Sequence, residues 1–121
     1  MSKLQSEGLN VDGVVCHVGK KEDRDKLLSE TVARFGGLDV LVSNAAVNPF
    51  FGAMLDCSED QWDKIFEINV KVAFLLFKDC VPLMQQRGGG SAVFISSIAA
   101  YRPIPALGPY SVSKARYLSS V

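Results

Sequence analysis

Apolar positions along the chain follow two periods in turn. Val11-Asp12-Gly13-Val14-Val15-Cys16 is a short β-branched run, which predicts a strand. A charged stretch follows in which Leu27, Leu28, Thr31, Val32 and Phe35 recur at helical spacing, so a helix is expected there. Gly36-Gly37 stands where such a helix would end, since glycine closes a helix C-terminus without steric cost. Leu38-Asp39-Val40-Leu41-Val42-Ser43 then reads as a second, largely buried strand.

The next helix has a clear start. Ser58 and Gln61 have the spacing of a capping box, and Trp62, Ile65, Phe66, Val72, Ala73, Leu76, Phe77 and Cys80 form one apolar stripe behind it. Gly88-Gly89-Gly90 breaks the chain, Ser91-Ala92-Val93-Phe94-Ile95-Ser96 predicts a third strand, and a loop with Pro103 and Pro105 leads to a helix opened by Pro109. Strands alternating with helices predict an α/β protein with a doubly wound, Rossmann-like parallel sheet, covered on both faces, whose ligands bind beyond the carboxyl ends of the strands. Leu4 to Gly8 reads as the tail of a helix with nothing before it, and Val121 falls inside the last helix. The expectation is one partial domain over residues 1–121.

Composition narrows the function. With 121 residues, 48% of them hydrophobic, the chain suits at most one domain. Thirteen basic residues balance thirteen acidic ones, which argues against an electrostatic partner such as nucleic acid or an anionic membrane and favours a small-molecule ligand. Cys16, Cys57 and Cys80 are odd in number and widely spaced, so neither a zinc site nor a redox pair is expected, and a reducing compartment fits. Met1-Ser2-Lys3-Leu4-Gln5-Ser6-Glu7 is too polar for a signal peptide and the longest apolar run, Val72 to Phe77, is too short to span a bilayer. The sequence therefore predicts a soluble, intracellular protein.

Candidate chemistry gathers at one edge of the expected sheet. Asn44 directly follows the second strand, Ser97 directly follows the third, and Tyr110 and Lys114 lie four apart on the next helix, hence on one face. An ammonium near a phenol favours the phenolate and brings a proton donor toward its working range. Asn69 falls inside the apolar stripe of the long helix, and a buried amide needs partners; it either bonds a neighbouring backbone or holds a water linking Lys114 to solvent. Taken singly, Ser97 reads as a loop serine and Asn44 as a turn former.

These residues resemble a known family. Tyr110-Ser111-Val112-Ser113-Lys114 is similar to the Y-x-x-x-K signature of the short-chain dehydrogenases/reductases, with Ser97 thirteen residues earlier; Ser43-Asn44-Ala45-Ala46 resembles their N-N-A-G segment, and Ile68-Asn69-Val70 their helix asparagine. Ser43 to Gly52 and Ser96 to Ala100 resemble in particular the NADP-dependent retinol dehydrogenase/reductase group, also called peroxisomal carbonyl reductases. That resemblance implies an NADP(H)-dependent oxidoreductase acting on ketones, α-dicarbonyls and retinal. Tyr110 would be the general acid. Lys114 would lower its pKa and bind the nicotinamide ribose, Ser97 would hold the substrate carbonyl, and Asn69 would position a relay water. Asn44 and Ala45 would line the adenosine side of the cofactor cleft, with His17 and Val18 also on the cofactor. Hydride would come from the nicotinamide, the protein supplying orientation and a proton.

Departures from the family pattern are also visible. No T-G-x-x-x-G-x-G loop occurs in the chain, and such a loop ordinarily binds the cofactor pyrophosphate through backbone amides. Ala115-Arg116-Tyr117-Leu118-Ser119-Ser120-Val121 stands where relatives continue into further strands and a substrate loop, so the reading is of a segment truncated at both ends with weak cofactor affinity and a sheet whose edges lie open. His17 replaces an acidic residue common near the adenine and otherwise reads as a solvated strand-end residue; Ala46 replaces a glycine. Relatives carry a peroxisomal tripeptide of the Ser-Lys-Leu type, whereas Ser119-Ser120-Val121 ends this chain, which leaves the cytosol open as well. An alternative function follows from the same resemblance: a non-catalytic form that associates with full-length subunits, or with its own copies, through the long helix and the helix beginning near Pro109.

Overall fold

The computed structural model describes residues 2–102 and 104–115. Pro103 and the expected helix continuation through Val121, with Ser119-Ser120-Val121, lie outside the described residues. A short helix, α1 (Ser2–Ser6), occupies the position of the expected helix tail. Helix α2 (Lys21–Phe35) ends as the glycine pair suggested, with Gly36 at φ 81° donating its N–H to the Val32 carbonyl. That left-handed conformation is open to glycine at little cost.

Two strands pair in parallel, β1 (Val40–Ser43) and β2 (Ser91–Phe94), in the register Val40 to Ser91 through Ser43 to Phe94. Between them runs one continuous helical crossover. It opens with α3 (Glu59–Phe66), whose Ser58 and Gln61 form the expected capping box: the Ser58 hydroxyl accepts from the Gln61 N–H, and the Gln61 side chain accepts from the Ser58 N–H. It widens into a π turn at Glu67–Val72 and continues as α4 (Ala73–Gln86). After β2 come a 3₁₀ turn at Ile98–Ala100 and helix α5 (Gly108–Ala115), with Pro109 in its first turn.

Leu76, Cys80 and Met84 on α4 form the main apolar cluster, packed against Leu28 of α2 and against Leu38 and Leu41 around β1. Phe77 meets Phe94 of β2 edge to face at 5.7 Å. A second buried group, Ile65, Ile68, Val72 and Ala73, lines the inner side of the crossover. The architecture is a partial Rossmann-like α/β fold, with the parallel order that the alternation predicted.

Two expectations need correction. Residues 11–16 form no strand, and Val15 is 95% exposed. A β-branched run supplies propensity, but a strand exists only with a ladder partner, and none of the described residues pairs with this run. The second strand is also less buried than a run of apolar residues implies: Val40 and Val42 are 55% and 58% exposed while Leu41 and Ser43 face inward. Helices cover one face of β1 among the described residues, so only alternate side chains lose contact with water.

Candidate active site

Because β1 and β2 are parallel and Ser43 is opposite Phe94, both strands release their chains at the same end of the sheet. The Ile95 N–H donates to the Ser43 carbonyl at 3.0 Å and carries the pairing one step further. Asn44 and Ala45 then leave β1 exposed, and Ser96 and Ser97 leave β2 half-buried.

Helix α5 is clipped to this end by two reciprocal bonds. The Ser96 hydroxyl donates to the Lys114 carbonyl at 2.9 Å, and the Lys114 ammonium donates to the Ile95 carbonyl at 2.7 Å. Lys114 is 3% exposed. Burial pushes its pKa below the usual lysine range, because desolvation penalises the charged form. Its Nζ lies 5.9 Å from the centre of the Tyr110 ring, so the two residues expected on one face of the helix do meet.

Ser97 caps the 3₁₀ turn, its hydroxyl oxygen accepting from the Ala99 N–H at 3.2 Å. A serine oxygen that accepts in this way keeps its own proton to donate. The 3₁₀ turn packs against α5, which places Ser97 beside the helix carrying Tyr110 and Lys114.

Asn69 is completely buried in the π turn. Its Oδ1 accepts from the Val47 N–H at 2.8 Å, and its Nδ2 donates to the Val47 carbonyl and to the Ser113 hydroxyl, both at 3.0 Å. Both amide protons are thereby engaged, and the side chain joins the loop after β1 to the crossover and to α5. The Ser113 hydroxyl in turn donates a hydrogen bond to the Tyr110 carbonyl at 2.7 Å.

His17 and Val18 stand apart, in the turn before α2. The His17 side chain is exposed and Val18 is half-buried. This turn nevertheless touches the site's frame: a Cβ on Gly19 would come within 3.3 Å of Ile68, the neighbour of Asn69, and within 3.0 Å of the His17 ring.

Three contributors were not singled out from sequence. Ser113 and Ser96 supply the bonds that orient α5, and the Ile95 carbonyl is the acceptor for Lys114. The serines inside the Tyr110 to Lys114 and Ser96-Ser97 segments were a usable signal. The Ile95 carbonyl, a backbone group, had none.

The chain as a whole is similar to known proteins. A model of the family described as short chain dehydrogenase matches residues 1–119. Over 118 residues the chain is 57% identical to "Dehydrogenase/reductase SDR family member 4" of Bos taurus and 51% identical to "Dehydrogenase/reductase SDR family member 2, mitochondrial" of Homo sapiens. The match covers 98% of this chain and 42% of the Bos taurus relative, so the chain spans less than half the length of that protein. An NAD+-bound xylitol dehydrogenase superposes with a TM-score of 0.89 at 25% identity, over 98% of this chain and 45% of its own.

Proposed function

This chain belongs to the short-chain dehydrogenase family, and from that premise we propose that Ser97, Tyr110 and Lys114 form the proton-transfer half of a carbonyl reductase site that uses NADP(H). The observation that carries the reading is Lys114: a buried ammonium, held by the Ile95 carbonyl, beside the Tyr110 ring. Burying a charged amine is costly without a compensating role, and a cation at this place stabilises negative charge as it develops on the phenol oxygen.

In this reading Tyr110 delivers the proton to the carbonyl oxygen and Ser97 donates a second hydrogen bond to the same oxygen. Lys114 binds the ribose hydroxyls next to the nicotinamide. Asn44 and Ala45, exposed at the end of β1, and His17 and Val18, in the turn before α2, face the adenosine half. Asn69, whose side chain joins α5 to the loop after β1, would position the relay water. When bound, the nicotinamide supplies hydride. The residues fit that nicotinamide end. Substrates would be ketones, α-dicarbonyls or retinal, or the corresponding alcohols. The setting would be peroxisomal or cytosolic; no helix among the described residues is long and apolar enough to cross a membrane.

Titrating NADPH and NADH against the chain, followed by reduction of retinal or an aromatic ketone, tests this. Saturable binding that is lost in Lys114→Met, with turnover lost in Tyr110→Phe, is the expected result. No binding up to millimolar cofactor would overturn it.

A second reading is that the chain acts without turnover, by associating with full-length subunits or with its own copies. Exposed apolar side chains on the two helices expected to form the interface, Phe74 of α4 and Val112 of α5, favour it. Co-purification with a full-length relative supports this reading, and a purely monomeric profile in the mixture removes it.

A further inference from the structure

Arg24 is the most buried charged residue of α2 and has no part in the proton-transfer cluster. Only 5% of it is exposed. Its Nη1 donates to the Val18 carbonyl at 2.9 Å, and its Nε, which makes no hydrogen bond among the described residues, lies 3.6 Å from the Asp79 carboxylate on α4. A guanidinium is weakly hydrated and forked, so it can be buried between a carbonyl on one side and a carboxylate on the other.

Its neighbour binds the same turn. The Asp23 carboxylate accepts the His17 N–H at 2.7 Å. Two consecutive side chains in the first turn of α2 thus hold two consecutive backbone groups, the N–H of His17 and the C=O of Val18. A third bond, Lys20 N–H to His17 carbonyl at 2.8 Å, closes the turn on itself. Charge-assisted bonds of this kind are the stronger class. Their effect here is to fix the backbone of the turn from α2, with His17 itself exposed.

We infer that Asp23 and Arg24 form a two-point strap that sets the 17–20 turn for the adenosine half of the cofactor, with Asp79 as the counter-ion that holds Arg24 in place. This rests on the proposed dinucleotide reading and extends it: Arg24 touches no ligand and is a positioning residue. Losing the strap loosens the turn and weakens ligands that contain the adenosine half. Ligands that contain only the nicotinamide half are unaffected, because Lys114 and Tyr110 are held by Ile95, Ser96 and Ser113 instead.

The test is a titration of the full chain, and of Arg24→Met, Arg24→Lys and Asp23→Ala, with three probes: NADPH, 2′,5′-ADP and reduced nicotinamide mononucleotide. Amide hydrogen exchange is followed in parallel. Asp23→Ala removes only the half-buried end of the strap, so it remains informative where Arg24→Met fails to fold. The expected result is about tenfold or more weaker binding of NADPH and 2′,5′-ADP in Arg24→Met and Asp23→Ala. Reduced nicotinamide mononucleotide should bind unchanged, and Arg24→Lys should recover part of the loss. Amides of residues 17–20 should exchange faster while those of α4 do not. Equal weakening of all three probes, or exchange at 17–20 that does not change, overturns the strap. Wild-type chain that binds none of the probes, with exchange at 17–20 still accelerated in the variants, overturns the cofactor reading instead and leaves only a structural strap.

Discussion

Asn69 and Ser113, 44 positions apart in the chain, share a 3.0 Å hydrogen bond between fully buried side chains. It is where the crossover helix, the loop after β1 and α5 are joined, because the same amide also takes both backbone groups of Val47. Replacing Asn69 by Ala leaves the Val47 N–H and carbonyl without their side-chain partner, while the Ser113 hydroxyl loses one bond and keeps that to the Tyr110 carbonyl, and each unsatisfied buried group costs about 1 to 3 kcal/mol. Asn69→Ala should therefore lower unfolding stability by about 3 kcal/mol or more. Ser113→Ala, which leaves both Val47 bonds in place and removes the hydroxyl's bonds to Asn69 and to the Tyr110 carbonyl, should cost about 1 to 2 kcal/mol. Urea denaturation of the two variants checks the order; a Ser113→Ala loss equal to that of Asn69→Ala would show that the Val47 bonds contribute little.

Cys80 makes stability depend on alkaline pH. Burial, reinforced by the Asp79 charge, pushes its thiol up from 9.0 to about 11. A group whose folded pKa is raised contributes stability that is complete below its unfolded value and is lost as pH rises through the folded one. Between pH 9 and about 11 the wild type should lose on the order of 2 to 3 kcal/mol that Cys80→Ala does not lose. Unfolding curves of both proteins at pH 8.5 and 10.5 should show the gap between them narrowing, and a constant gap would mean that the thiol is better solvated than its burial implies.

Lys114 has the opposite sign. Its folded pKa is lowered by desolvation, so the cost of burying the charge is fully present while the amine is protonated in both states. That cost is relieved as pH rises from the folded value toward 10.5, the value in the unfolded chain. Relative to Lys114→Met, the wild type should gain stability across this window. Difference unfolding curves against the variant isolate the effect from other titrating groups. A wild type that instead loses ground to the variant there would mean that the ammonium is stabilised, not penalised, at its site.

Local signals were legible in the sequence because their physics is local. The Ser58 and Gln61 box needs only three residues of spacing, and the Gly36 cap only a sterically free φ. Tyr110 and Lys114 were legible for the same reason, being one helical turn apart. What failed was non-local. Among the described residues, 11–16 have strand propensity without a partner strand, and Val40 and Val42 have apolar side chains without a covering layer. Arg24 looks like any first-turn cation until the fold brings Asp79 and the Val18 carbonyl to it. The partner of Asn69 was likewise invisible, since no periodicity links positions 69 and 113.

The capping box predicts its own mutational cost. Ser58→Ala leaves the Gln61 N–H without its acceptor at the start of α3, and loss of a serine N-cap costs about 1 kcal/mol. Ser58→Asp should restore it, since aspartate caps as well and its charge suits the helix N-terminus. Thermal melts of the pair, read by circular dichroism, separate capping from packing: both variants would fall together if Ser58 mattered through its size.

Gly90 and Gly36 are both required to be glycine, for different reasons, and their alanine variants should separate. A Cβ on Gly36 would meet nothing within 4 Å, so the penalty there is only that of φ 81°, about 1 to 2 kcal/mol. A Cβ on Gly90 would stand 2.7 Å from the Asp39 carbonyl oxygen and 2.7 Å from Met84. Met84 can swing aside at some loss of packing, but the Asp39 carbonyl cannot, because it accepts the Ser91 N–H at 3.0 Å and starts the pairing of β1 with β2. Gly90→Ala should thus separate the strands at their first rung and cost more than Gly36→Ala, by about 1 kcal/mol or more. Denaturant unfolding checks the order. Hydrogen exchange should show the excess as faster exchange of the Ser91 amide, whereas Gly36→Ala should leave that amide protected.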